Sequence, residues 1–481
     1  VLHVTKNTVK VGNAQVPLVT VTEFFGTGPP SMVKTPSLPD DVLLEIFNFY
    51  VDEAEVAEEW HILTHVCHQW RSVVLASPRR LDLHLLCTEK TPVREMLEIW
   101  PTIPIVVLGD DPVLLDEHAD NIITALDHHD RVSTLTIDGV PNSLLEKLAA
   151  VTQGPFTALT SLVLLVEKES APVIPDSFLG GSAPHLRTLH FSGVPFPGLR
   201  RLLLSAGDLV DLELWDIPDS GYMSPVEMVT CLSALTSLET LELVFRSPRS
   251  RPDQASGRPP PLTRTDLPSL TSLCFQGVSE YLEDFVARID ASLLNEIDIT
   301  FFNQLIFSIS QLPQFVSRTE KFKALRQADL VFHSDSVGVT LSPQAETENS
   351  PQLALQVSCS ESDWQLSSQA QVCSWFLPLL SNLDHLKIRE HPTSRPDWQD
   401  DIENPQWLEV LTPFNAVTSL HLSKELAQHI APVLRVTVME VLPQLQDISV
   451  EELQPSGPVR EAIEQFAAGR QLSDHPVTIN A

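Results

Sequence analysis

The sequence predicts an α/β fold: a short helical pair followed by a curved solenoid of strand-and-return repeats. Three observations predict it. Two apolar-periodic segments at helical spacing lie close together near the start. A triplet of apolar residues then recurs at a steady step over the last two thirds of the chain. Of 481 residues, 43% are hydrophobic and 20% charged, a globular rather than a disordered composition. Length alone suggests roughly three domains at ~150 residues each, a prior that repeat folds break.

Residues 1–36 open with Val-rich alternation and continue with Gly26, Gly28, Pro29, Pro30 and Pro36. Turn formers dominate the second half, so this stretch is expected to be a flexible tail with one short strand. The helical pair is placed in 37–84. In Leu38-Pro39-Asp40-Asp41, proline suits a first helical turn because its missing N–H would be unpaired there anyway. The two aspartates favour the positive end of the helix dipole. Leu43, Ile46, Phe47 and Tyr50 follow on one helical face. An acidic stretch, 52–59, separates this helix from a second, carried by Trp60, Leu63, Cys67, Trp70 and Val74 and ended by Pro78. Two such helices cannot bury themselves alone and must pack on something else. Residues 85–129 read as a linking segment with a helix and a strand, the latter at the apolar run 103–108.

From 130 to 455 the pattern Leu-x-x-Leu-x-Leu, or a close variant, recurs. The hits are Val132/Leu135/Ile137, Leu159/Leu162/Leu164, Leu186/Leu189/Phe191, Leu209/Leu212/Leu214, Leu238/Leu241/Leu243 and Leu270/Leu273/Phe275. They continue with Leu294/Ile297/Ile299, Leu325/Ala328/Leu330, Leu383/Leu386/Ile388, Val417/Leu420/Leu422 and Leu445/Ile448/Val450. First positions are 23–34 residues apart, apart from one gap of 58, in which Leu353-x-Leu355-x-Val357 stands where a missing unit belongs. This is the signature of degenerate leucine-rich repeats. One strand and its return cannot cover their own apolar face, whereas a stack shares a continuous core. A basic, proline-rich insertion at 246–268 reads as a loop between repeats, and Ser247-Pro248 within it matches a proline-directed phosphorylation pattern. Residues 456–481 are expected to be a C-terminal tail.

Charge narrows the function. Lys and Arg number 31 against 63 Asp and Glu, a net of −32. Such a field repels phosphate backbones and anionic lipid, so neither nucleic acid nor membrane is an expected partner. A basic or hydrophobic segment is the expected docking element of a protein partner. The six cysteines form no CxxC pair and are expected to be reduced, buried thiols in a cytoplasmic or nuclear protein, with a Cys359–Cys373 disulfide disfavoured.

Few residues suggest chemistry. His61 and His65 are i, i+4 but lack the glutamate of a metalloprotease helix and a second ligand pair. His128-His129-Asp130 has no nucleophile placed with it. GxSxG, P-loop and GxGxxG motifs are missing from the sequence, so no enzyme, metal or cofactor is expected. Trp215, Trp364, Trp375 and Trp407 are candidates for recognition or for core filling.

The segment 38–83 resembles an F-box. The carrying residues are Leu38-Pro39, the apolar Leu43, Ile46 and Phe47, then Val66-Cys67, Trp70-Arg71 and the short strand Leu81-Asp82-Leu83. The acidic 52–59 insert departs from the short turn of typical members. The runs TPVREMLEIWPTIP and DSFLGGSAPHLRTLHFSGVPFPGLRRLLLSA are similar to the large F-box-like families of mushroom-forming fungi, over about 38–455. The resemblance implies a substrate-recognition adaptor: the F-box docks on the Skp adaptor of a cullin ubiquitin ligase, and the repeats hold a protein for degradation. It assigns Leu38, Pro39, Leu43, Ile46, Phe47, Leu63, Val66, Cys67 and Trp70 to the adaptor interface or to the small F-box core. The alternative is an F-box-type interaction scaffold that never joins a ligase.

Overall fold

The computed structural model describes residues 3–11, 14–22, 38–52, 63, 66–76, 83–88, 91–99, 103–109, 116–166, 171–248, 263–304, 307, 309–344, 350–396, 398 and 404–480. They fall into two compact units, 1–77 and 78–481.

In the first unit, β1 (His3–Val11) and β2 (Ala14–Thr22) pair antiparallel, from His3 opposite Thr22 to Val11 opposite Ala14. Over 3–22 the expected flexible tail with one strand is thus corrected to a hairpin, while residues 23–36 of that tail lie outside the described residues. Val and Thr populate both arms, and the dipeptide between them, Gly12-Asn13, is a hairpin signal. Helix α1 (Asp40–Asp52) begins where expected, with Val42 N and Leu43 N donating to Pro39 O. Leu63 is helical and helix α2 runs His68–Ala76, so the helix expected across Trp60 to Val74 is interrupted at 66–67. Val66 lies in a turn and Cys67 just ahead of the helix, where its carbonyl accepts from Arg71 N. Cys67 therefore faces solvent instead of packing, correcting the expectation of a buried thiol. Trp60, His61, His65 and all of the acidic insert but Asp52 lie outside the described residues.

The second unit is organised by one long sheet. Its strands are β3 (Leu83–Leu86), β4 (Ile105–Gly109), β5 (Val132–Ile137), β6 (Ser161–Leu165), β7 (Thr188–Ser192), β8 (Asp211–Ile217) and β9 (Thr240–Phe245). A two-residue pair, β10 (Thr265–Asp266) with β12 (Ile289–Asp290), stands apart from it. The sheet continues with β11 (Ser272–Gly277), β13 (Glu296–Phe302), β14 (Gln327–Phe332), β15 (Ser336–Ser342) and β16 (Gln352–Ser358). It ends with β17 (His385–Glu390), β18 (Ser419–Leu422), β19 (Asp447–Val450) and β20 (Thr478–Asn480). Every triplet read from the sequence ends on one of these strands. Alternation explains why: Leu241, Leu243 and Phe245 are buried on one face, while Thr240, Glu242 and Val244 are only half-buried on the other. Each fully buried Leu contributes about 1.5–3 kcal/mol.

Three expectations about this unit are corrected. The sheet does not begin at 130: β3 and β4 are its first two strands, pairing Leu83 with Ile105 and Leu108 with Thr136 of β5. Their runs LHLL and IVVLG lack the spaced leading leucine, so they fall outside the triplet pattern. Nor does order end at 455, since residues 458–472 form a helix and β20 pairs parallel with β19. The third correction concerns Leu353. Its strand is in the sheet but out of sequence, the spatial order being β13-β16-β15-β14-β17. After β13 the chain passes two strand positions before laying down β14, then returns through β15, which is antiparallel to both β14 and β16. An antiparallel return needs only a short turn, whereas parallel neighbours need a crossover. Cys359 and Cys373 are both free. Cys274 is only half-buried, against the expectation of full burial. Residues 249–262 of the insertion lie outside the described residues.

Candidate functional site

In the helical pair, Leu43, Phe47 and Leu63 are buried, with Val73 and Val74 of α2. Phe47 packs edge-on against Trp70 at 4.9 Å between ring centroids, and Trp70 is half-buried. Gln69 closes the pair by donating through Nε2 to Leu38 O at 2.8 Å and Asp40 Oδ1 at 3.3 Å. Four apolar residues of the pair are exposed: Leu38 at 44%, Val42 at 43%, Ile46 at 43% and Val66 at 55%. Pro39 and Cys67 are exposed as well. The nine residues assigned together from the sequence thus divide into Leu43, Phe47, Leu63 and Trp70, which hold the pair together, and Leu38, Pro39, Ile46, Val66 and Cys67, which lie on its surface. Val42 was missed; it stands four residues before Ile46, the spacing that places both on one stripe.

In the repeat unit the residue between the last two apolar positions of each triplet falls on the open face of the sheet. Strand register aligns these residues into one row: Thr136, Val163, His190, Glu213, Glu242, Cys274 and Asp298. Reading that position down the repeats would have found the row from the sequence. Beside it stands Trp215, 43% exposed, so it lines the open face instead of filling the core. The indole N–H donates to Glu242 Oε2 at 2.8 Å, and the His190 ring lies 5.4 Å from the indole by centroids. His190 Nδ1 is 3.2 Å from Glu213 Oε2. The Glu213 carboxyl is raised above its ordinary value by desolvation and the charges of Glu242 and Asp211, against the opposing pull of His190. Asp298 is raised by desolvation and then by Glu296 and Glu242. Cys274, among the same carboxylates, has its thiol pushed up to about 12, chiefly by desolvation, so it is no nucleophile at neutral pH.

Trp215 owes its position to a bulge. Pairing between β8 and β9 slips between Leu214 and Ile217, and the intervening Asp216 adopts a left-handed φ of 52°. Arg246 holds this residue through Nε to Oδ1 at 2.8 Å and Nη2 to Oδ2 at 2.6 Å. Of the other tryptophans, Trp364 and Trp375 are exposed, whereas Trp407 is buried against Phe332 and Trp398. His128 and His129 are half-buried, the latter edge-on to Phe156. Among the described residues no group of three His, Cys, Asp or Glu is arranged to hold a metal ion, and no helix is long and apolar enough to cross a membrane.

No protein-family model matches the chain, and no curated protein sequence matches it. Among solved structures, the leucine-rich repeat-containing protein LegL7 from Legionella pneumophila aligns at 13% identity and a TM-score of 0.28, covering 81% of this chain and 98% of that one. At that TM-score the pairing transfers no role to this chain.

Proposed function

We propose that the chain is a non-catalytic substrate-recognition subunit of a Skp–cullin–F-box ubiquitin ligase, needing no cofactor. In this reading the helical pair docks on the Skp adaptor and the open face of the repeat sheet holds a protein substrate. One observation carries it. The helical pair fills its own core with Leu43, Phe47 and Leu63 and still exposes Leu38, Val42 and Ile46 at four-residue spacing, and Val66 besides. Exposed apolar side chains at four-residue spacing on so small a unit mark an interaction surface. The repeat sheet supports the second half of the reading, because solenoid stacks offer long continuous faces to partners.

Capture of the Skp adaptor by the full-length chain tests it. The double variant Val42→Ala/Ile46→Ala should lose about tenfold or more in adaptor affinity while its far-UV dichroism is unchanged, since central apolar anchors dominate such interfaces. Undiminished capture by the folded double variant would sink the proposal. Capture of the adaptor without co-capture of a cullin would favour the interaction scaffold that stays outside a ligase.

A further inference from the structure

We propose that the open face of β8, β9, β11 and β13 is a docking site for an arginine-bearing segment of a partner protein, with one guanidinium seated on the Trp215 indole between Glu213 and Glu242. The inference deepens the reading of the repeat sheet as the substrate-binding part and does not depend on ligase assembly.

Charge complementarity identifies the occupant. The outward positions of these four strands are Asp211, Glu213 and Trp215; Thr240, Glu242 and Val244; Ser272, Cys274 and Gln276; and Glu296, Asp298, Thr300 and Phe302. They hold five carboxylates and no Lys or Arg. Glu213 and Glu242 are direct cross-strand neighbours, and neighbouring strands lie only about 4.8 Å apart. Like charges placed side by side in a sheet destabilise it. Elsewhere the same face neutralises its acids internally. Arg389 of β17 holds Asp329 of β14 through Nε and Nη2 at 3.0 and 2.7 Å, and His421 Nε2 lies 3.1 Å from Glu451 Oε1. Among the described residues, the charged partners on the acidic strands are His190, against Glu213, and Arg246, which is spent on Asp216 at the bulge. An incoming cation would supply what the sheet lacks there.

The indole is an independent observation. A large aromatic ring stands 43% exposed, at a bulge whose left-handed Asp216 is pinned by a bidentate arginine, with its N–H tied to Glu242. Bulges re-aim side chains, and left-handed non-glycine residues persist only where their surroundings enforce them. The ring is thus held beside the carboxylates, not left to rotate. Guanidinium suits this arrangement better than ammonium. It is planar, stacks on an aromatic face and offers a fork of donors to carboxylates.

A fluorescein-labelled oligoarginine peptide, titrated by anisotropy into the full-length chain at physiological salt, tests the proposal. Oligolysine is expected to bind more weakly and oligoglutamate not at all. Trp215→Ala and the pair Glu213→Gln/Glu242→Gln should each weaken oligoarginine about tenfold, in keeping with loss of a central anchor. Trp215→Phe should retain part of the affinity. The charge-matched control Glu461→Gln/Glu464→Gln, on the helix Pro458–Leu472, should stay within about twofold. Equal weakening by the control, an undiminished Trp215→Ala variant with native dichroism, or an oligoarginine that does not bind would each overturn the site. Because the assay contains no adaptor, its failure is separate from a failure of adaptor capture.

Discussion

Arg470 has no exposed surface, yet it carries a charge. It survives burial because the guanidinium donates to three backbone carbonyls, those of Pro443, Val441 and Leu442, at 2.7–2.9 Å, and lies 5.1 Å from the Phe466 ring centre. Leu442 itself is left-handed at φ 48°. The side chain thus clamps a strained turn onto the helix Pro458–Leu472. Arg470→Ala should cost about 2–4 kcal/mol, because it strands the carbonyls and opens a cavity. Arg470→Lys should recover less than half, since one ammonium cannot span the three acceptors. Urea denaturation of the two variants measures both. Asp298 makes the opposite case. Its carboxyl is raised above the ordinary value by desolvation, then by Glu296 and Glu242, so the folded state favours the protonated form. That contribution to stability is present below the unfolded pKa of about 4 and is lost as pH rises through the higher folded value. Asp298→Asn should therefore raise Tm at pH 7, and the gain should vanish near pH 3. A gain that persisted unchanged in acid would contradict this origin.

Between elements, α1 shows how one helix serves two ends. Phe47 and Leu43, four residues apart, face the pair's core, and Ile46 and Val42 form the exposed stripe beside them. Phe47→Ala should cost about 3–5 kcal/mol and speed hydrogen exchange of the α1 amides in the full-length chain. Ile46→Ala, at an exposed position, should stay within about 0.5 kcal/mol and leave their exchange unchanged. Equal acceleration by both would mean that the stripe belongs to the core. Helices of the repeat unit are also tied to one another. Glu283, on the helix Ser279–Val286, accepts from Gln311 N at 2.7 Å and Leu312 N at 2.8 Å, so one repeat caps the helix Gln311–Arg318 of another. Caps of this kind contribute about 1–2 kcal/mol.

At the scale of the whole sheet, stability passes from strand to strand. Leu212 is fully buried in β8, with Leu189 of β7 and Leu241 of β9 as its register partners. Leu212→Ala should cost about 2–5 kcal/mol by leaving a cavity. In a repeat stack that loss falls on neighbours first. Hydrogen exchange should accelerate in β7 and β9 before β18 and β19, and a uniform loss along the sheet would show instead that it unfolds as one unit.

What the sequence by itself determined is the repeat. Period-two alternation is local: Leu162, Leu189, Leu212 and Leu241 each needed a dry face, and a triplet recurring at a steady step can satisfy them only by stacking. The start of α1 was legible for the same reason, because Pro39, Asp40 and Asp41 act through their own backbone and its dipole. Tertiary structure alone decided what depends on distant partners. Leucines of β16 look like those of any repeat, and only pairing with β13 on one side and antiparallel β15 on the other put that strand out of order. The helix Pro458–Leu472 reads as a polar tail until Arg470 meets the carbonyls of 441–443. Ile46 and Phe47 are adjacent apolar residues, and nothing local says which is buried; the ring of Trp70 and the packing of α2 on α1 decide it. The acidic row is likewise a property of register, since Glu213 and Glu242 are 29 residues apart in the chain and become neighbours only when β8 lies beside β9.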